Sequence, residues 1–107
     1  MTDFNDRERA EEAKFAMDAD TAFRVAARRN RLLGHWAAAK MNLTPEETEA
    51  YGKAVVQADF EEAGDEDVIR KLVGDMTSAG VEIDAAAVRN ALDEKTIEAR
   101  RQFIETQ

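Results

Sequence analysis

The sequence predicts an all-α protein, a small four-helix bundle with a flexible or partly helical N-terminal arm. Apolar residues recur at intervals of three and four along most of the chain, which is the spacing of amphipathic helices. Capping residues and glycines mark where several of these helices begin and end. The sequence has no alternating run of β-branched residues and no Asn-Gly or Asp-Gly turn, so it does not predict strands.

Length and composition restrict the fold and the function. A chain of 107 residues is expected to form one domain with a single modest core. The absence of cysteine excludes disulfides, thiol nucleophiles and thiolate metal sites. The net charge of −8 argues against nucleic acid or an anionic membrane as the main partner. The sequence shows neither a signal peptide nor an apolar run of about 18 residues, so we expect a soluble intracellular protein.

Residues 1–19 are predicted to form the N-terminal arm, and residues 20–107 the four-helix bundle. Good helix formers dominate the arm, but after Met1 its only large apolar residues are Phe4, Phe15 and Met17. A short helix of this kind is marginal in water. We therefore expect the arm to be frayed or disordered alone and to become helical against a partner. The alternative, a first helix continuous with the next one, remains open.

The central helix is predicted at residues 20–41, the most apolar long stretch and the only basic one. Positions 21 to 40 contain five basic residues and no acidic residue. One broad face is apolar, so most of the circumference is expected to be buried. The remaining gap holds a single stripe, formed by Arg24, Arg28, Arg31 and His35. We expect this stripe to be solvated and to pair with acidic neighbours, rather than to be a dedicated anion site.

Residues 44–63 are predicted to form the second helix, whose start is the clearest boundary signal in the sequence. Thr44 is a typical N-cap, Pro45 suits the first helical position, and Glu47 completes a capping box with Thr44. Gly52 lies inside the helix, where glycine costs about 1 kcal/mol relative to alanine. We therefore expect another helix to pack closely against Gly52.

The third and fourth helices are predicted at residues 65–79 and 84–104. Three acids at the start of the third helix favour its macrodipole, and Gly80 suits the position after its end. Asp84 is the predicted N-cap of the fourth helix. The large residues expected in the core are Phe23, Leu33, Trp36, Val55, Phe60, Ile69, Leu72, Met76, Leu92 and Phe103.

Residues suited to catalysis or metal binding are sparse, so the sequence does not predict an enzyme. His35 is the only histidine, and we interpret it as a surface residue without a role. The acids between positions 59 and 67 lack the spacing and the turn glycine of a calcium loop, and are predicted to pair with the central arginines. No glycine-rich phosphate loop precedes a helix. The residues alone therefore indicate a helical interaction module with a detachable arm.

Six blocks of the sequence carry a family resemblance. They are Phe4-Asn5-Asp6-Arg7-Glu8, Glu12-Ala13-Lys14-Phe15, the stretch from Ala27 to Gly34, Trp36-Ala37-Ala38, the stretch from Ala58 to Val68, and Ala79-Gly80-Val81-Glu82-Ile83. In this order and at these separations they resemble the zeta subunit of the alphaproteobacterial F-type ATP synthase, a natural ATPase inhibitor. The resemblance implies a four-helix bundle whose N-terminal segment enters the catalytic head of the synthase and blocks ATP hydrolysis.

The resemblance also implies partners and a location. The partners would be the alpha, beta and gamma subunits of the catalytic head, and the free protein would be a monomer. It would be cytoplasmic, at the inner face of the plasma membrane when bound to the synthase. The inhibitory residues that would contact these partners are Phe4, Asn5, Asp6, Arg7, Glu8, Glu12, Lys14 and Phe15.

A weak nucleotide site is a further implication, because members of the family hold ADP or ATP on the bundle without requiring a cofactor. The phosphates need cations, and the densest supply is the run Arg28-Arg29-Asn30-Arg31. Trp36 or Tyr51 would be available to stack the base. Met17 and His35 depart from the family pattern, which puts pH sensing and inhibitory strength in question. The alternative function is a nucleotide-sensing or adaptor module without strong inhibitory activity.

Overall fold

The computed structural model describes residues 19–61 and 64–105, which form four α-helices. They are α1 (Ala19–Lys40), α2 (Pro45–Glu61), α3 (Glu66–Ser78) and α4 (Ala85–Glu105). These described residues contain no strand, so the all-α prediction is confirmed. Each predicted helix is present, with boundaries within two residues of those expected. All of the predicted arm except Ala19 lies outside the described residues.

Helix α1 is the central element of the bundle, as the sequence predicts. It packs most extensively against α2 and α4, while α3 packs against both of those helices and also contacts α1. The buried cluster at the centre draws on all four helices and consists of Leu33, Ala37, Val55, Val68, Ile69, Leu72, Met76, Val88, Ala91 and Leu92. The four described helices therefore enclose a core of their own.

A pair of glycines allows α1 and α2 to approach closely. A Cβ atom added to Gly34 would lie 2.9 Å from the Cα atom of Gly52, and 3.2 Å from a methyl group of Val55. Any larger residue at position 34 would push the two helices apart. The expectation of close packing at Gly52 is confirmed, and its helix partner is α1.

The start of α2 has the predicted capping box. The Thr44 amide donates to Glu47 Oε1 at 2.9 Å, and the Glu47 amide donates to Thr44 Oγ1 at 3.1 Å. The hydrogen bond from the Thr44 amide lowers the pKa of the Glu47 carboxyl, and the Thr44 side chain lowers it further. The preceding turn places Asn42 at a φ of 58°, a left-handed conformation that ends α1.

Helix α4 also begins at a predicted cap, and α3 ends at a predicted glycine. Asp84 Oδ1 accepts a hydrogen bond of 2.9 Å from the Ala87 amide. Gly80 has a φ of 86°, and the Val81 amide donates back to the Met76 carbonyl at 2.9 Å. At the start of α3, however, the Asp65 side chain makes no capping hydrogen bond. Its carboxylate contacts an arginine of α1 instead.

Two aromatic residues predicted in the core lie at the surface. Phe23 is 51% exposed and Phe60 is 69% exposed. Phe23 lies ten residues before Leu33 and Phe60 five residues after Val55, which are the nearest members of the central cluster on their helices. Val25 is buried too, but it does not belong to that cluster. Both rings are therefore beyond the core cluster, and they contact each other edge to face with centroids 5.7 Å apart. Their placement in the core was wrong.

The other core predictions have two outcomes. Trp36 and Phe103 are only partly buried, and Trp36 packs against the cluster from its edge. The remaining six expected core residues are buried, namely Leu33, Val55, Ile69, Leu72, Met76 and Leu92. The misplaced residues Phe23, Phe60 and Phe103 lie toward the start of α1, beyond the cluster, whereas Trp36 lies beside it.

Candidate functional site

An open groove runs along α1 between α2 and α4, and we call it the arginine groove. It has a volume of about 700 Å³. Helix α1 supplies three guanidinium groups, from Arg24, Arg28 and Arg31. The apolar walls come from all three helices and include Phe23, Ala27, Leu32, Val56 and Phe103. A surface of this kind suits a ligand or segment that carries both negative charge and apolar groups.

The three arginines of the groove differ in their partners. Arg24 Nε lies 3.0 Å from Asp20 Oδ2, but both side chains are mostly exposed, so this ion pair contributes little to stability. Arg28 and Arg31 have no carboxylate within ion-pair distance among residues 19–60 and 64–105, whose side chains the structure describes. Of the three groove arginines, only Arg24 thus meets the expectation that the stripe pairs with acidic neighbours, and its partner lies on its own helix.

Arg29 is the arginine that meets the acidic residues after position 59. Its Nη2 atom lies 3.3 Å from Asp59 Oδ2 and 3.2 Å from Asp65 Oδ1. Its Nε atom donates to Asn30 Oδ1 at 3.1 Å, and Asn30 Nδ2 donates to Asp59 Oδ2 at 2.8 Å. Asn30 is only 1% exposed. This network ties α1 to α2 and to the start of α3, so we assign Arg29 and Asn30 a structural role.

Among the described acids of this cluster, Asp59 and Asp65 thus pair with the same central arginine. Glu62 and the side chain of Glu61 lie outside the described residues. Glu66 binds elsewhere, because its Oε1 atom lies 2.6 Å from Arg89 Nη2 of α4. No group of histidine and carboxylate side chains in the described ranges is arranged to hold a metal ion.

His35 does not lie in the groove, although it belongs to the same stripe of the helical wheel. Its ring packs at the contact between α1 and α2, where Nε2 would lie 3.1 Å from a Cβ atom placed on Gly52. Nε2 is 3.3 Å from Glu49 Oε1, but this contact lacks hydrogen-bond geometry, and the atom is occluded from solvent. The interpretation of His35 as a surface residue is corrected, since only 34% of its side chain is exposed.

The two aromatic residues predicted to stack a nucleotide base also lie away from the groove. Trp36 packs on the edge of the core, with Lys40 Nζ 5.3 Å from its ring centroid. The Tyr51 hydroxyl donates to Asp75 Oδ2 at 2.8 Å, and Lys71 Nζ lies 5.2 Å from the ring centroid. Burial, together with the adjacent Asp75 carboxylate, raises the pKa of Tyr51.

The six residues predicted for a nucleotide site therefore do not converge. Arg28 and Arg31 line the groove, Arg29 and Asn30 belong to the α1–α2 network, and the two aromatic residues pack elsewhere. The groove walls on α2 and α4 were not predicted from the sequence. The apolar character of Val56 and Phe103 was visible in the sequence, but their positions beside α1 depend on how the helices pack.

The eight predicted inhibitory residues lie in the N-terminal arm, outside the described residues. They are Phe4, Asn5, Asp6, Arg7, Glu8, Glu12, Lys14 and Phe15. Their placement and contacts stay a prediction. In the part of the chain that the structure describes, no helix is long and apolar enough to cross a membrane.

Comparisons with known proteins identify the family. The family described as "ATPase inhibitor subunit zeta" matches residues 1–102 of the chain. A protein solved by solution NMR is 39% identical, with a TM-score of 0.70, over 79% of this chain and 96% of its own. No curated protein sequence matches significantly. The family match extends over the arm as well as the bundle, and the chain therefore belongs to the ATPase inhibitor subunit zeta family.

Proposed function

We propose that this protein inhibits ATP hydrolysis by the F-type ATP synthase by inserting its N-terminal arm into the catalytic head. Membership of an ATPase inhibitor family supports an inhibitory role in general. The observation that carries the insertion mechanism is the division of the chain: residues 25–99 supply a core shared by four helices, and the family match also includes the arm. The arm is thus part of the family's domain, while the bundle has a core of its own.

The mechanism follows from the way that a rotary motor works. Each catalytic interface must open and close during hydrolysis. A segment that binds only one state of an interface holds it in that state, because the binding free energy must be lost before rotation resumes. Insertion at one interface would therefore stop the whole cycle.

The sequence of the arm suits insertion. Phe4 and Phe15 are two large anchors, and buried aromatic residues commonly carry much of the binding free energy of an interface. The charged residues between them have both signs and can pair with polar interface walls. Positions 1 to 18 contain no glycine or proline to interrupt a helix. The bundle would act as a docking platform that raises the local concentration of the arm.

The proposed partners are the alpha, beta and gamma subunits of the catalytic head. Association would place the otherwise cytoplasmic protein at the inner face of the plasma membrane, and we propose that the free protein is a monomer. The competing function is a nucleotide-sensing or adaptor module without strong inhibitory activity. Co-purification separates the two, because an adaptor unrelated to the synthase would recover neither the alpha nor the beta subunit.

Removal of residues 2–17 tests the proposal. The truncated protein is expected to keep most of its thermal stability, because the described core begins at Val25. Its ability to inhibit ATP hydrolysis by purified synthase should nevertheless be lost. The full-length protein, assayed at the same concentrations, is the control. Full inhibition by a folded truncated protein would refute insertion of the arm and assign inhibition to the bundle.

We also propose weak ADP or ATP binding at the groove, without a required cofactor. The supporting observation is that Arg28 and Arg31 have no carboxylate partner among the described residues. ADP titration should shift the amide resonances of these two residues and leave that of Tyr51 unchanged. Shifts centred on Trp36 or Tyr51 would place the nucleotide elsewhere.

A further inference from the structure

We infer that in the free protein the arginine groove binds the chain's own N-terminal arm, and that this contact holds the arm in reserve. The groove offers apolar walls together with Arg24, Arg28 and Arg31. An occupant must therefore supply both apolar groups and negative charge. The contact itself is independent of any partner, whereas its regulatory consequence rests on the function proposed above.

Charge is the first observation in favour of the arm. Two of the three groove arginines lack a carboxylate partner in the described ranges, although the whole chain carries 23 acidic and 15 basic residues. The arm has three basic residues, Arg7, Arg9 and Lys14, against six acidic residues, which are Asp3, Asp6, Glu8, Glu11, Glu12 and Asp18. The arm is therefore an acidic segment, and it leads directly into α1, the helix that carries the three groove arginines.

The spacing of the arm is the second observation. At 100° per residue, Phe4, Glu8, Glu11 and Phe15 fall within an arc of about 60° on one helical face. That face has two aromatic ends and two central carboxylates. The groove has the complementary order, with three arginines between an aromatic ring at Phe23 and the apolar side chain of Leu32.

Length is the third observation. Phe23 and Leu32 are nine helical residues apart, a distance of about 14 Å, and a helix from Phe4 to Phe15 spans about 16 Å. Residues 16–18 supply a connection of the length that joins antiparallel helices, about two to five residues. An arm folded back antiparallel to α1 places Phe15 near Phe23. Glu11 and Glu8 then follow along the arginines.

The contact has a consequence for inhibition. The face that binds the groove contains Phe4 and Phe15, the same anchors that are proposed to enter the catalytic head. Docking and insertion therefore exclude each other, and the synthase must compete with the groove for the arm. Weakening the groove contact should increase inhibition rather than reduce it.

Paramagnetic relaxation enhancement in the full-length protein tests the contact. The chain has no cysteine, so Thr2→Cys provides a single site for a spin label. We expect loss of amide intensity at Ala27, Arg31 and Gln102, which line the groove, and a clearly smaller loss at Gly74, on the exposed side of α3. High salt should restore the intensity, since the screening length falls from about 30 Å at 0.01 M to about 3 Å at 1 M. Full amide intensity at the groove residues at low salt would overturn the inference. That is the result expected if the arm instead continues α1 as one straight helix.

Charge reversal provides the matched controls. Arg28→Glu with Arg31→Glu should abolish the intensity loss, and adding Glu8→Arg with Glu11→Arg should restore it. Lys53→Glu, an exposed change on α2, should leave the loss unaltered. Thermal unfolding checks that each variant is folded. If the intensity loss persisted in the variant with Arg28→Glu and Arg31→Glu, the inference would also be overturned.

Two further readouts test whether the contact forms within one molecule and whether it restrains inhibition. Mixing spin-labelled protein with unlabelled, isotope-enriched protein should cause no loss, and a loss would assign the groove to the arm of a second copy. In the hydrolysis assay, Arg28→Glu with Arg31→Glu should inhibit at a lower concentration than the unchanged protein. A failed relaxation experiment rejects the groove contact alone, whereas inhibition by the truncated protein rejects the insertion mechanism alone.

Discussion

At the scale of residues, the roles of neighbouring side chains on α1 depend on small differences in direction. Arg28 lines the groove, while Arg29 forms ion pairs with Asp59 of α2 and with Asp65 at the start of α3. Consecutive helical residues are about 100° apart, so the sequence run of basic residues is split between two faces. The sequence indicated that acidic residues would meet the central arginines. It did not indicate which arginine, because that depends on the rotation of α1 against its neighbours.

The glycine contact gives a prediction at this scale. Gly34→Ala should destabilise the protein by about 1–3 kcal/mol, because the new methyl group would meet the backbone of Gly52 at 2.9 Å. Gly74→Ala is the matched control on α3, where an added Cβ atom meets nothing within 4 Å. It should stabilise the protein by about 0.4–1 kcal/mol. Chemical denaturation measures both changes, and equal effects of the two substitutions would contradict the close helix contact.

At the scale of elements, local sequence signals predicted the helix boundaries accurately. The capping box at Thr44 and Glu47, the cap at Asp84 and the turn at Gly80 are contacts between near neighbours, so the sequence contains both partners. Burial is different, because it depends on which helix passes over a residue. Phe23 and Phe60 have apolar side chains on plausible faces, yet both lie beyond the core cluster. The arginine groove was unpredictable for the same reason.

The capping box gives a pH prediction. Because hydrogen bonds in the folded state lower the pKa of Glu47, its contribution to stability is present above the ordinary carboxyl pKa of 4.5. That contribution is lost as the pH falls through the lower, folded-state pKa. Glu47→Gln should therefore reduce the acid sensitivity of the melting temperature. Glu46→Gln, in the same helical turn, is the control. An identical pH profile for both variants would show that the capping carboxylate does not contribute.

At the scale of the whole molecule, the chain combines a bundle that encloses its own core with an arm that has few apolar groups. The family match includes both parts. This division explains why most of the fold was predictable from helical periodicity and caps. The contacts of the arm with a partner were not predictable to the same extent, because the partner supplies half of that interface. Family resemblance, rather than periodicity, indicated the inhibitory function.

The arm itself gives a prediction about inhibition. Phe4→Ala and Phe15→Ala should each weaken inhibition about thirtyfold, corresponding to about 2 kcal/mol for an aromatic anchor. Glu12→Gln should have a smaller effect, because a charge at a wet rim contributes little binding free energy. Inhibition constants from ATP hydrolysis measure the three changes. A larger effect at Glu12 than at the aromatic residues would place the main contact on the charged face.

Site-specific crosslinking tests the central claim, arm insertion, most directly. A photoreactive phenylalanine derivative at position 4 of the full-length protein would be activated after binding to purified synthase during hydrolysis. We predict crosslinks to alpha or beta subunit residues that line a catalytic interface. The same derivative at position 74, on the exposed side of α3, is the control and should not reach that interface. Crosslinks from position 4 confined to the outer surface of the head, while hydrolysis is fully inhibited, would contradict insertion of the arm.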